Sequence, residues 1–378
     1  MNEKGRNRYF TFLGIGLILT VAPVLLLWVI PVAAWYGLLA AFLFMLSLPL
    51  GAAAVLMCHH LTAGRWGWSI YPYLPSLLLL LPLLGGTFVL LCFGLDVIYP
   101  WAQTARVENS PVLTHRQPYL NTPFFIVRGI VYFLIWGGLV FSLIRGFRRT
   151  AEQKRDTITR LPTQSALGLV LYFLTMTFAA VDWVMSLSEH WFSTIFGAYL
   201  IIGQILMTLA LLIIIKALHI RRDGSFHWDA SVLTDLGNLL LAFVVLHAYM
   251  AFSQFFIIWN GNKPHEVLWY IERTRGAWKW IAIAIIIVHF ALPFFALLFR
   301  RIKRNPRLLL GIAAVLLFMR LVENAWIVIP AAPERQGEAV GIMLVFTAGL
   351  GMLSVAIGLR AWSRHSHLRP LEYQEVLR

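Results

Sequence analysis

Ionisable side chains inside long apolar runs are costly in lipid unless they are paired or used, so they are where this chain could do chemistry. They are Asp96, Arg128, Asp182, His247, His289, Arg320 and Glu323. Arg128 and Asp182 lie at similar depth near one end of successive runs, where antiparallel helices would bring them together. Two readings fit the pair: a structural ion pair that fixes helix register, or a polar pocket or proton relay. Arg320 and Glu323 are three residues apart and so share one helix face, and the same two readings apply to them. Asp96, Glu189 and His190 fall at run ends on the side of Asp182. Solvated turns explain them, but with Asp182 and Arg128 they would also make a polar cluster. Such a cluster beside an apolar channel is what taking two protons from a long-tailed hydroquinone requires.

His247 and His289 lie near mid-run on successive helices. Two histidines at equal depth are the ligand set of a b-type haem; a hydrogen-bonded core histidine is the plainer reading. His59, His60 and His219 sit at run ends beside basic loops, where placement at the membrane surface accounts for them without a metal. The two cysteines, Cys58 and Cys92, exclude a disulfide framework, a cysteine zinc site and a four-cysteine iron–sulfur cluster. The chain has no Walker lysine loop, HExxH or GxSxG elbow, so nothing in it reads as a nucleotide-driven pump or a hydrolase.

Only membrane helices can position these groups. Of 378 residues, 60% are apolar and 13% charged, against about 25% charged in a soluble domain. A spanning helix needs about 20 mostly apolar residues. The runs 9–30, 33–58, 73–95, 122–144, 164–186, 193–218, 236–259, 278–299, 307–329 and 338–361 meet that test. The expected fold is therefore all-α and polytopic, with ten transmembrane helices. The first run follows Lys4, Arg6 and Arg8, as in a signal peptide. It is longer than a usual signal core and no small-residue cleavage site follows, so it is expected to be retained. Pro49 and Pro293 fall inside runs and each frees a helix carbonyl. Trp66, Trp68, Trp101, Trp191, Trp228, Trp259, Trp278, Trp280 and Trp326 favour run ends, as an aromatic belt does.

The net charge of +14 could mean nucleic acid. Sorting the basic residues by loop changes that reading. One side holds 22 Lys and Arg, the other seven, and the remaining two are Arg128 and Arg320. The positive-inside rule then places both termini in the cytoplasm and the 96–121 and 260–277 loops outside. An internal repeat is also visible. His59, Gly64 and Trp68 recur as His219, Gly224 and Trp228 at a constant offset, and the last helix of each unit carries an acid, Asp182 or Glu323. The expected organisation is a peripheral helix (1–32), two four-helix bundles in parallel orientation (33–186 and 187–330), and a peripheral helix with a tail (331–378).

DWVMSLSEHWFSTIFGAY (182–199), HHLTAGRWGW (59–68), DLGNLLLAFVVLHAYMAFSQFFIIWNGN (235–262) and HFALPFFALLFRRIKRNPRLL (289–309) together resemble the NrfD-like superfamily of polysulfide-reductase membrane anchors. Within it they are most similar to the second of the two such membrane proteins in alternative complex III, a bacterial quinol:cytochrome c oxidoreductase. The likeness spans nearly the whole chain. It implies an integral membrane subunit with no redox cofactor of its own, bound metal or covalent group, contributing a quinone-binding pocket, a proton path or a scaffold. The implied partners are multihaem and monohaem cytochromes c, a periplasmic iron–sulfur/molybdopterin-like subunit, a paralogous membrane subunit and lipid. Asp182, Glu189 and His190 match one family run; Asp235, Ser253 and Gln254 match another. His247 departs from the pattern, which carries an aromatic there. That departure weakens a haem reading and leaves His247 free for a role of its own, such as a proton-relay step. A secondary transporter with parallel repeats and a b-type cytochrome are the alternatives.

Overall fold

A computed structural model describes residues 3–151, 155–222 and 229–365. The protein is all-α, with ten helices long and apolar enough to cross a membrane among the described residues. They are α1 (Gly5–Val29), α2 (Pro31–Thr62), α3 (Arg65–Ile98), α4 (Thr122–Gly146), α5 (Arg160–Leu187), α6 (Phe196–Leu218), α7 (Ala230–Gly261), α8 (Ala277–Leu298), α9 (Pro306–Ala331) and α10 (Gln336–Trp362). Each contains one of the expected runs or nearly all of it. The chain is a multi-pass membrane protein.

The helices close into two rings. α2, α3, α4 and α5 pack successively on one another, with α5 returning to α2; α6, α7, α8 and α9 do the same, with α9 returning to α6. The rings meet where α2 lies against α6. This contact rests on small residues, as membrane helices require when no hydrophobic effect drives them together. A Cβ on Gly51 would lie 2.2 Å from Thr208 Oγ1 and 2.4 Å from the Gln204 carbonyl oxygen, so α2 and α6 approach this closely only because 51 is glycine. Two residues earlier Pro49 lacks an amide, and Thr208 donates to the Ser47 and Leu48 carbonyls at 3.3 and 3.4 Å. α10 lies on α2 and α1 on α10, so α1 touches the rings mainly through its partner.

α3 departs most from expectation. It starts eight residues before the apolar run, with the short helix Arg65–Ile70, and prolines divide it into further short helical segments. The early start has a consequence for His59. Trp66, Trp68 and Tyr71 fold over its ring with centroids 5.5, 4.7 and 5.9 Å away, and His59 is buried inside the protein. His60 is half-buried and contacts Ser165 Oγ at 2.8 Å. The second half of the expected repeat, Gly224 and Trp228 with the side chain of His219, lies outside the described residues.

The aromatic belt is only partly a belt. Trp259 and Trp280 are exposed on the helix surface, whereas Trp101 and Trp191 are buried. Trp191 stacks on Trp269, centroids 4.5 Å apart, beneath the loop helix Pro264–Arg273.

Candidate functional site

Both ring-forming groups carry a buried carboxylate on their last helix, and their surroundings differ. In the first ring the Arg128 guanidinium grips Asp182 with two bonds, Nε to Oδ2 at 2.8 Å and Nη2 to Oδ1 at 2.9 Å. The Tyr132 hydroxyl donates to Oδ2 at 2.7 Å. The third guanidinium edge donates to the Tyr119 carbonyl at 2.8 Å, and the Tyr119 and Phe124 rings cover its faces at 3.9 and 4.3 Å. Both oxygens of Asp182 hold donors, and rings including Phe42, Phe88, Phe133, Trp136 and Trp183 fill the ring's interior. The arrangement is a bidentate ion pair joining α4 and α5. Tyr119, in the loop before α4, has its hydroxyl pushed up to about 12, first by burial and then by the Asp182 charge.

The larger polar cluster expected around Asp182 does not form. Asp96 is exposed, and its contact is a backbone one, its carbonyl accepting from the Gln103 amide at 2.8 Å. Glu189 bonds Ser110, while its backbone carbonyl accepts from Arg116 at 2.8 Å. Exposed His190 lies 3.7 Å from Glu189. The α-helical part of α5 ends at Trp183 and a short 3₁₀ segment, Met185–Leu187, follows, so Glu189 and His190 fall in the loop beyond it. There they line a wide groove of about 910 Å³ together with His265 and Glu272.

In the second ring the carboxylate is a hub. Glu323 forms an ion pair with Arg320 one helical turn away, as the spacing implied. Tyr199 of α6 donates its hydroxyl to Glu323. His247 Nε2 lies 3.0 Å from both carboxylate oxygens, and His289 Nδ1 lies 3.3 Å from Oε2. All of them are buried. α6 makes room for the guanidinium because residue 203 is glycine: a Cβ there would lie 2.5 Å from Arg320 Nη2. His289 reaches the hub from a π-helical segment, Ile285–Ala291. Pro293 has no amide to offer the His289 carbonyl, so the α-helical ladder cannot continue through this turn and widens instead.

Proton positions follow from the partners. A carboxylate only accepts, so each imidazole turns an N–H toward Glu323. Arg320 Nη1, 3.2 Å from His247 Nε2, only donates and cannot be the partner of that N–H. In a neutral ring the second nitrogen, His247 Nδ1 or His289 Nε2, is then an acceptor. Neither has a hydrogen-bond partner in the protein.

These rings form one wall of a cavity of about 610 Å³ between α7 and α8. Tyr199, Glu323 and Gln254 also line it, and Trp269, Tyr270 and Trp326 close it toward the loop helix. Arg273 locks that end. Its guanidinium lies 3.8 Å over the Trp269 ring and donates to the Trp269 and Ile327 carbonyls at 2.9 and 2.7 Å. Trp326 in turn donates to the Arg273 carbonyl at 2.9 Å. Burial pulls the Arg273 pKa down, with the Glu272 carboxylate opposing. The other walls belong to the protein's outer face: Tyr249, Phe252 and Ile286 line the cavity and are 61%, 63% and 64% exposed. In a membrane such side chains meet lipid, so the cavity opens sideways into the bilayer.

The two histidines are at equal depth, as the sequence implied, with ring centroids 5.2 Å apart. What joins them is the Glu323 carboxylate, and a haem plane has no place between rings that share it. His247, His289 and Glu323 offer ligand atoms within 4.8 Å of one another, a set of the kind that holds zinc. Arg320 already supplies the cation there, and a divalent ion beside a guanidinium would be repelled. Among the residues expected from the sequence, Gln254 belongs to the cavity wall, while Ser253 is half-buried and does not line it. Sequence reasoning missed Tyr132, Tyr199, Tyr270 and the lid formed by Trp269 and Arg273. A hydroxyl or guanidinium in an aromatic-rich segment was the only signal for them.

Compared with models of protein families and with curated protein sequences, the chain matches none.

Proposed function

We propose that this protein is an integral membrane subunit of a respiratory quinol:cytochrome c oxidoreductase, and that it contributes a quinol-binding pocket between α7 and α8. The observation that carries the reading is the lipid-side cavity whose inner wall presents two bare imidazole nitrogens backed by one carboxylate. An apolar tail in the bilayer reaches such a cavity without crossing water, and a few placed polar groups fix a head group inside it.

A bound quinol supplies two electrons and two protons. The chain's own residues act on the protons. His247 Nδ1 and His289 Nε2 are the acceptors that face the cavity. The Glu323 carboxylate orients both rings and stabilises the positive charge that protonation creates, as a buried carboxylate does for a catalytic histidine. Arg320 and the Tyr199 hydroxyl hold Glu323 in place. The lid of Trp269, Trp326 and Arg273 keeps loop-side water from the head group. Electrons leave to a redox centre in a partner; the cytochrome c, iron–sulfur and paralogous membrane subunits belong to this proposal through the family resemblance alone. So does the bacterial inner membrane, with both termini in the cytoplasm.

Photolabelling with an azido-quinone tests the pocket. Cross-links are expected in α7 and α8, at residues such as Tyr249 or Phe290, and excess unlabelled quinol should suppress them. Labelling confined to other helices, or not competed by quinol, overturns the reading.

A further inference from the structure

The cavity between α7 and α8 has a third unsatisfied group, and it is of the same kind as the first two. Gln254 is 3% exposed, lines the cavity, and its amide oxygen Oε1 has no hydrogen-bond partner. Its side chain is engaged with Tyr270, which leaves Oε1 as the free end. A buried polar atom left unpaired is costly, so three of them on one cavity point to a ligand that pairs with them. All three, His247 Nδ1, His289 Nε2 and Gln254 Oε1, are acceptors.

Gln254 follows His247 by seven residues on α7, two turns that return to the same face, with a rise of about 10.5 Å, so the acceptors are spread along the cavity rather than gathered at one point.

Resting on the reading of this cavity as a quinol pocket, we infer that it selects the redox state of its ligand: it is built for the reduced, para-dihydroxy ring, held at one hydroxyl by the histidine pair and at the other by Gln254. A quinol offers one donor at each end, one for an imidazole and one for the Gln254 oxygen. A quinone offers only acceptors, which face acceptors in return. The preference lapses once the imidazoles have taken protons and become donors, so the oxidised product meets a changed pair at one end and an unchanged, unfavourable Gln254 oxygen at the other. Gln254 is thus a residue that fixes specificity and helps product leave, without itself moving a proton.

The test is anaerobic titration calorimetry of the full chain in nanodiscs with menadiol, menadione and menadiol dimethyl ether, which keeps the ring and loses both donors. Menadiol is expected to bind about tenfold tighter than either of the others, the equivalent of about one buried hydrogen bond. Gln254→Leu should remove most of that advantage while leaving the ether's affinity unchanged, which also shows that the variant is folded. If Gln254→Leu does not fold, Gln254→Asn withdraws the amide by one methylene and should give the same loss. Menadione binding as tightly as menadiol, or a full menadiol preference in a folded Gln254 variant, overturns the inference and leaves the pocket standing. Saturable binding by none of the three removes the pocket itself.

Discussion

At the scale of single residues, two buried carboxylates with the same place in their helix groups have different capacities. Asp182 is held by three donors, two from Arg128 and one from Tyr132. Glu323 meets two imidazoles that each keep an unpartnered nitrogen. The expected consequences separate cleanly. Asp182→Asn leaves Arg128 buried without its counter-charge, and removing one partner of such a pair costs about 3–5 kcal/mol. A large drop in thermal stability of the purified chain is expected, whereas Arg335→Gln, on the exposed Arg335–Glu338 pair, should leave it unchanged. Equal melting temperatures in the two variants would refute the structural role. Glu323→Gln keeps the shape and removes the charge behind both imidazoles. Quinol oxidation by the assembled complex should slow by about a hundredfold or more, chiefly in kcat, with KM little affected. A rate within twofold of wild type would show that Glu323 does not support proton transfer.

At the scale of the element, α8 makes the site. The segment Ile285–Ala291 is wound more widely than an α-helix, and His289 is in it. Pro293 supplies the cause, since the helix cannot form its ordinary bond to the His289 carbonyl. Restoring that bond with Pro293→Ala should let the ladder run through and rotate His289 away from Glu323. The expected result is slower quinol oxidation with unchanged or raised thermal stability, a combination that damage to packing would not produce. Retained activity would mean that the π-helical turn is not what presents His289. The loop helix Pro264–Arg273 is the complementary element: its Trp269 and Arg273 seal the cavity end that faces the loops, so the bilayer side is left as the entrance.

At the scale of the whole molecule, two four-helix rings share the α2–α6 contact, and the open, polar-floored cavity described lies in the second ring. In the first ring aromatic side chains occupy the interior; in the second, α7 and α8 present much of their surface to the outside, and the cavity lies between them. The basic segment Arg300–Arg304 and the loop residue Lys263 lie at opposite ends of the helices they flank, so their accessibility reports orientation. Single cysteines placed at Arg301 and Lys263 are expected to react with a membrane-impermeant maleimide from opposite sides, with Lys263→Cys labelled in intact cells and Arg301→Cys only after lysis. The reverse pattern would invert the topology that the charge asymmetry implies.

The sequence alone determined the helical, multi-pass architecture, because spanning a bilayer demands about 20 apolar residues per helix and that demand is written in composition. It also determined which ionisable groups are worth attention, since lipid leaves few of them unaccounted for, and the three-residue spacing of Arg320 and Glu323 was enough to pair them. What it could not determine was which carboxylate is closed and which is open. That depends on contacts between helices far apart in the chain: Tyr132 and Arg128 filling Asp182, and Tyr199, His247 and His289 converging on Glu323. It also depends on the end of the α-helix at Trp183, which leaves Glu189 and His190 in the loop beyond and out of the cluster their proximity suggested. Helical periodicity fixes which residues share a face; only tertiary packing decides whether that face meets a ring, a lipid or an empty space, and at Glu323 it decided on a cavity.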